Sequence, residues 1–241
     1  MRNFSNTYIF VFATSMVIIV AALLSFVAEE LRPMQERNVE LEKKSDILAS
    51  VEMTEGVEDA EDRGAFIEEL FNSYIVESYV INSEGEVQEG KDAFEITENI
   101  DAEMDKPAEE RDLPLFVFED GGEEKYIIPV RGKGLWGPVW GYIALRNDFN
   151  TISGTVFDHR AETPGLGAEI NTDWFEDAFI GKTIFENGEF IGIKVVKGGA
   201  DPSAMHSVDA ISGGTITSKG VEDMIFNSLK PYVTYFKENR N

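Results

Sequence analysis

At 241 residues the chain is long enough for one domain with a sizeable core plus accessory segments. Its 21 Lys and Arg against 45 Asp and Glu give a formal net charge of -24, which argues against nucleic acid as a partner because phosphate binding needs a basic surface; such acidity is ordinarily just a solvated face, and a high-salt habitat would relieve its self-repulsion. With no cysteine, the chain offers no disulfide, no thiolate iron–sulfur site and no lipoprotein anchor, so any electron carrier is held by other chemistry.

Tyr8 to Val27 is uncharged throughout and has about the 20 residues that cross a bilayer as a helix. A retained transmembrane anchor fits better than a cleaved signal peptide: the apolar run exceeds an ordinary h-region, and cleavage after Ala28 would put Phe26 where a small residue is wanted. Arg2 precedes the run and Glu29 and Glu30 follow it, so residues 1–7 are expected in the cytoplasm and the rest outside. Residues 28–62 are expected as a connecting helix and acidic linker. After Pro33, Met34, Leu41 and Leu48 recur at heptad spacing with Ile47 and Val51 beside them, a stripe narrow enough to pack on the chain's own domain or on another subunit, with a homodimeric coiled coil as the alternative. Glu52 to Asp62 is acidic and turn-rich.

Residues 63–114 are expected as a peripheral α/β lobe. Phe66, Ile67, Leu70, Phe71 and Tyr74 mark an amphipathic helix, and Ile75 to Ile81 a strand ending at the turn Ser83-Glu84-Gly85. Glu86 to Arg111 is again acidic, with Pro107 as a breaker and no calcium-ligand spacing. From residue 115 onward the strands Leu115–Phe118 and Tyr126–Ile128 face each other across Asp120-Gly121-Gly122, a hairpin signal. Gly132-Lys133-Gly134-Leu135-Trp136-Gly137-Pro138 reads as a tight loop plugged by Trp136, followed by strands over Val139–Leu145 and Thr151–Phe157. Trp174, Phe175, Ala178 and Phe179 suit a short helix, Phe190 to Val196 a strand, and Lys219 to Tyr235 a closing helix re-aimed by Pro231. Successive short strands followed by helices give an α+β class with a mostly antiparallel sheet, flanking helices and a single N-terminal transmembrane helix.

Two loops carry the chemistry. In Glu162-Thr163-Pro164-Gly165-Leu166-Gly167, Pro164 and two glycines force a sharp exposed turn whose tip offers the Glu162 acceptor and the Thr163 hydroxyl. In Asp209-Ala210-Ile211-Ser212-Gly213-Gly214-Thr215-Ile216-Thr217-Ser218, paired glycines allow positive φ and close approach of a bulky group just where Val221, Met224, Ile225 and Leu229 begin a helical pattern. A helix start favours a phosphate. On the pattern alone Thr217 or Ser218 reads as an N-cap, although neither completes a capping box, since Gly220 and Val221 occupy the third position after them. His159 and His206 stand too far apart from other ligands to form a metal site, and no catalytic constellation appears.

The run from Asp209 through Ser212-Gly213-Gly214-Thr215-Ile216-Thr217 resembles the flavinylation motif D-x-x-S-G-(A/G/S)-T-x-(T/S), with Gly214 where Ala is commoner. Joined to the Glu-Thr-Pro-Gly-Leu-Gly run and the upstream Gly-Lys-Gly-Leu-Trp-Gly, the whole chain resembles the family of FMN-binding C subunits of Na+-translocating NADH:quinone reductases (Na+-NQR), related to the G subunit of Rnf complexes. The resemblance implies an FMN-binding domain over residues 115–241 with FMN held covalently by a phosphoester to Thr217, and with Ser212, Gly213, Gly214, Thr215, Glu162, Thr163, Leu166 and Gly167 around it. Lys197 is either an ordinary surface lysine or a cation for the flavin phosphate or the N1–C2=O edge. A threonine hydroxyl is a weak nucleophile, and the loop holds no activating base. The resemblance accordingly implies a separate Mg2+-dependent flavin transferase that uses FAD and releases AMP, with Asp209 as a recognition or metal-approach residue, its plain alternative being loop hydrogen bonding. No dinucleotide-binding glycine fingerprint lies between strand and helix, so NADH binding falls to other membrane and peripheral subunits. The expected role is single-electron relay in NADH:ubiquinone oxidoreduction coupled to Na+ export, in a bacterial inner membrane with the C-terminal domain in the periplasm. The alternatives are an Rnf-type subunit acting with ferredoxin, and a cofactor-free anchored sensor.

Overall fold

The structure, a computed structural model, describes residues 5–201 and 203–240. Arg2, on which the topology expectation leans, lies outside the described residues. The chain divides into two compact units, Met1–Lys43 and Lys44–Asn241.

The first unit is helical. Helix α1 spans Asn6–Ala49 and is long and apolar enough to cross a membrane; from Tyr8 to Val27 its large apolar side chains are exposed. The helix expected after Pro33 is the continuation of this same helix, because Pro33 lies inside it. A proline there removes one amide donor and crowds the carbonyl of Glu29. The flanking Glu29, Glu30, Leu31 and Arg32 are good helix formers, and Arg32 bridges to Glu36 at 3.0 Å.

In the second unit the end of α1 packs into the core, with Ile47 and Leu48 wholly buried. The acidic stretch after it folds as turns with Val51 and Val57 buried. Helix α2 (Arg63–Tyr74) is capped by Asp62, whose carboxylate accepts from the Ala65 N–H. Strand β1 (Ile75–Ile81), helices α3 (Ala93–Glu98) and α4 (Ile100–Met104), and strands β2 (Leu113–Asp120), β3 (Glu123–Lys133), β4 (Pro138–Arg146) and β5 (Ile152–His159) follow. The five strands form one sheet in sequence order, every neighbouring pair antiparallel. Its β2–β3 hairpin turns on Gly121 and Gly122, both at positive φ (59° and 87°), as a two-residue loop requires.

Alternation along the strands sorts the core into two faces. Val80, Phe116, Phe118, Ile127, Tyr142 and Ala144 point one way, onto Ile47, Val51 and Ala93. Ile81, Leu115, Ile128, Val130, Ile143 and Leu145 point the other way. Onto that second face pack helix α5 (Asp173–Glu176), the closing helix α6 (Thr215–Leu229), a 3-10 turn at Lys230–Tyr232 and α7 (Val233–Asn239). Between them run the short pairs β6 (Phe185–Glu186) with β7 (Glu189–Phe190), and β8 (Lys194–Val196) with β9 (Ser207–Asp209), the latter parallel.

Three expectations are corrected. The strand expected over Phe190–Val196 is split by Gly192 at φ +66° into β7 and β8. The closing helix begins at Thr215, not Lys219. Trp136 plugs nothing: it is 67% exposed, because β3 and β4 extend to Lys133 and Pro138 and push residues 134–137 out beyond the sheet.

Candidate functional site

The two motif loops meet at the start of α6. Gly213 at φ +78° turns the chain out of β9, and a Cβ there would lie 2.5 Å from Leu166 Cδ2. Gly214 is the N-cap and supplies no side-chain cap; a Cβ on it would meet Leu166 O at 3.0 Å. Small residues at both positions let the Glu162–Gly167 turn press against the helix start. Thr217 is then the third residue of α6, and neither it nor Ser218 is the cap. Ser218 is buried and bolts the loop shut, donating to Gly214 O at 2.9 Å and accepting from the Ile211 N–H at 3.0 Å.

Thr217 is 1% exposed and Glu162 5% exposed. The Thr217 hydroxyl donates to Glu162 Oε2 at 2.5 Å across 55 residues of sequence. The other carboxylate oxygen accepts from the Trp136 N–H at 2.8 Å, and the Glu162 N–H donates to His159 Nδ1 at 3.3 Å. Glu162 was expected at an exposed turn tip; it is buried, because β5 and the 134–137 loop close over it, while Thr163, Pro164 and Leu166 form the exposed tip. Glycines make the room. A Cβ on Gly134 would lie 2.5 Å from Glu162 Oε1, and one on Gly167 would lie 2.5 Å from both Glu162 Oε2 and Thr217 Oγ1.

The first turn of α6 has free donors. The first intrahelical bond is from the Ser218 N–H to Gly214 O, so the amides of Thr215, Ile216 and Thr217 are left for another acceptor, at the positive end of the helix dipole. No acidic residue lies in that turn. Leu135 and Trp136 in the 134–137 loop, Leu166 in the turn and Ile216 at the helix start are exposed apolar residues. One turn along, Glu222 is buried and accepts from Val195 N–H and Lys194 at 3.0 Å each, and from Lys219. Burial works to raise its carboxyl, but hydrogen bonds from Lys219, Val195 and Lys194 outweigh it and hold Glu222 below the usual carboxylate range.

Of the residues picked from sequence, Glu162, Leu166, Gly167, Gly213, Gly214 and Thr217 converge in direct packing. Ser212 is exposed on the loop, Thr215 half-buried at the helix start and Thr163 exposed at the turn tip. Lys197 is exposed at the turn after β8, and Asp209, the last residue of β9, pairs with Val196 and accepts from the Ala200 N–H. Sequence reasoning missed Gly134, the Trp136 amide and His159 as supports of Glu162. The Gly-x-Gly of residues 132–134 was the available signal, since two glycines at a strand end mark close approach. Among the described residues no group of His, Cys, Asp and Glu is arranged to hold a metal ion.

Residues 134–230 match the family model described as "FMN-binding domain". The chain is 31% identical to the C subunit of the Na(+)-translocating NADH-quinone reductase of Pseudomonas aeruginosa over 235 residues, 88% of each chain. It is 32% identical to the C subunit of the same reductase from Vibrio anguillarum over 226 residues, 91% of this chain and 88% of the relative. Among solved structures, the C subunit of the Parabacteroides distasonis reductase superposes with a TM-score of 0.73 at 42% identity, covering 86% of this chain and 96% of that one. The NqrC protein of Shewanella oneidensis superposes with a TM-score of 0.65 at 26% identity, covering 82% and 98%. The chain therefore belongs to the NqrC family, the C subunits of Na(+)-translocating NADH-quinone reductases.

Proposed function

We propose that this chain is the flavoprotein subunit of a Na+-translocating NADH:quinone reductase, carrying FMN through a phosphoester on Thr217 and relaying electrons between partner subunits. The observation that carries the reading is the placement of the Thr217 hydroxyl in the free first turn of α6, against a turn whose Gly167 leaves no side chain in the way.

The residues present fit the group. The Thr215, Ile216 and Thr217 amides suit a phosphate. The glycines at 134, 167, 213 and 214 let Glu162, Leu166 and Thr217 close together at the start of α6, and the exposed Leu135, Trp136, Leu166 and Ile216 offer apolar surface to a flat ring. Bound FMN would supply the redox centre; the chain supplies position, hydrogen bonding and exclusion of water. Thr217 tethers the phosphate, the α6 amides and the Thr215 hydroxyl bind it, and Ser212, Gly213, Gly214, Thr163, Leu166 and Gly167 line the cradle. Exposed Lys197 would offer a cation to the flavin, and Asp209 serves recognition by a Mg2+-dependent flavin transferase that places FMN from FAD. α1 anchors the chain in the inner membrane with its N-terminus in the cytoplasm and the domain in the periplasm, while NADH oxidation and Na+ movement belong to the other subunits.

The test is in-gel fluorescence of denatured protein from native membranes. A fluorescent band in wild type and none in Thr217→Ala is expected; equal bands would overturn the attachment site, and no band in wild type would overturn the tether.

A further inference from the structure

We propose that a groove between the 108–111 segment and the far end of α6 is a second binding site, taking a phosphate or phosphate ester between Arg111 and Lys230. The groove has a volume of about 570 Å3, and Ser83, Glu109, Arg111, Asn227, Lys230 and Thr234 are among its lining residues. That size suits a small organic ligand. Thr217 is the third residue of α6 and Lys230 follows its last, so about 20 Å of helix, at 1.5 Å per residue, separates the groove from the flavin site. Nothing in the groove depends on flavin attachment.

Two cations without counter-charges set this groove apart. The chain has 45 carboxylates for 21 basic side chains, and the neighbouring cations Lys91, Lys106 and Arg131 are paired with Asp112, Glu103 and Asp101. Arg111 instead meets neutral acceptors. Its Nε donates to Lys106 O at 3.0 Å and its Nη2 to Met104 O at 2.8 Å, with Nη1 3.8 Å from Met104 Sδ. These contacts fix the guanidinium plane and leave a further N–H on each terminal nitrogen for another acceptor. Lys230 holds its Nζ 5.7 Å from the centre of the Phe226 ring, and among the described residues neither Arg111 nor Lys230 has an ion pair.

A half-buried guanidinium fixed in this way is preorganised for a phosphate, which it recognises by geometry as well as charge. Asn227 and Thr234 add amide and hydroxyl donors, while Ser83 Oγ pins the opposite wall by donating to Glu109 O at 3.1 Å. Glu109 is the one carboxylate among the lining residues. Two cations against one carboxylate make the groove a locally positive spot on a strongly acidic chain, which concentrates an anion there and nowhere around it.

Arg111 also ties Met104 to Lys106, so the test uses the exposed Lys230 and Glu109, whose replacement spares the fold. Full-length chain in detergent micelles is titrated with inorganic phosphate and with glycerol phosphate by calorimetry, at ionic strength held constant with chloride. Saturable binding is expected. Lys230→Gln is expected to weaken it about 10-fold, the loss of one charge-assisted hydrogen bond. Glu109→Gln is expected to tighten it, and Lys125→Gln, whose side chain stacks on Phe118 at the other face of the sheet, to leave it unchanged. Repeating the phosphate titration in phosphatidylcholine nanodiscs with and without phosphatidylglycerol separates the sources of the phosphate: competition by the anionic lipid assigns the groove to a headgroup, and equal affinity assigns it to a soluble phosphate. Absence of saturable binding of either probe would overturn the site. So would binding that Lys230→Gln and Glu109→Gln leave unchanged, as phosphate held at the start of α6 would be.

Discussion

The two faces of the sheet use the same packing device for different ends. On one face the end of α1 comes so close to β5 that a Cβ on Gly154 would collide with Ser50 O; on the other, α6 comes so close to β3 that a Cβ on Gly220 would collide with Lys133 O. What differs is the buried polar chemistry. On the α1 side Ser50 and Thr97 are satisfied locally, by Ile47 O at 2.7 Å and Ala93 O at 2.8 Å, three and four residues back. On the α6 side the Thr217 hydroxyl is satisfied by a carboxylate 55 residues away. Local back-bonding merely settles a side chain on its own helix. A long-range buried pair joins a helix start to a distant loop and exposes the molecule to a larger loss if either partner goes, a liability that suits a site better than a scaffold.

This contrast can be broken most sharply at Thr217. Thr217→Ala is expected to remove all covalent flavin and, measured against wild-type chain without FMN, in which the hydroxyl is free to donate to Glu162, to destabilise the fold by about 1–3 kcal/mol in urea unfolding by leaving a buried carboxylate short of one donor. Thr97→Ala is expected to leave flavin content unchanged. A comparable loss of flavin in Thr97→Ala would erase the distinction between the faces.

Next in size are the two close-approach glycines. Gly154→Ala and Gly220→Ala each set a methyl group against a backbone carbonyl, and each is expected to cost about 1–3 kcal/mol from overpacking. Only Gly220→Ala, which moves the first turn of α6 off β3, is expected also to lower flavin loading by intact mass. Equal loading in both variants would mean that the site tolerates displacement of its helix.

A smaller effect comes from Glu176, whose Oε1 accepts from the Phe157 N–H at 2.6 Å. Burial pushes its carboxyl up to about 7, with that hydrogen bond opposing and Asp173, Asp177 and Asp158 adding to the rise. A folded-state value above the ordinary 4.5 means that its contribution is fully present below pH 4.5 and is lost as pH rises through about 7. Glu176→Gln is expected to flatten the fall in stability over that window, read from urea midpoints at pH 5 and pH 8; an unchanged slope would remove Glu176 as its source. Smallest of all, Gly122→Ala at φ +87° in the β2–β3 turn is expected to cost about 1 kcal/mol by strain alone, with flavin loading untouched.

Much of the sheet was legible in sequence because its signals are local. The Gly121-Gly122 turn and the alternation of Leu115, Phe116, Val117 and Phe118 specify a hairpin without reference to anything distant. The start of α6 was misread by four residues: Thr215 and Thr217 are β-branched and follow a glycine pair, so propensity delayed the helix to Lys219, whereas packing of Thr217, Ser218, Gly220 and Val221 against β3 and the 162–167 turn starts it at Thr215. Glu162 looked like a turn-tip acceptor because nothing in a six-residue motif reveals that Trp136, His159 and Thr217 will converge on it. Trp136 looked like a plug because aromatic residues are mostly buried; two more residues of β-pairing at Lys133 and Pro138 carried it out to solvent.

The central claim is that the Thr217 oxygen carries the flavin. Peptide mapping by mass spectrometry of chain purified from native membranes measures this directly. The account predicts that the peptide containing Thr217 bears FMN, bound through phosphate with loss of one water. A wholly unmodified peptide, in cells that demonstrably make the flavin transferase, would contradict it.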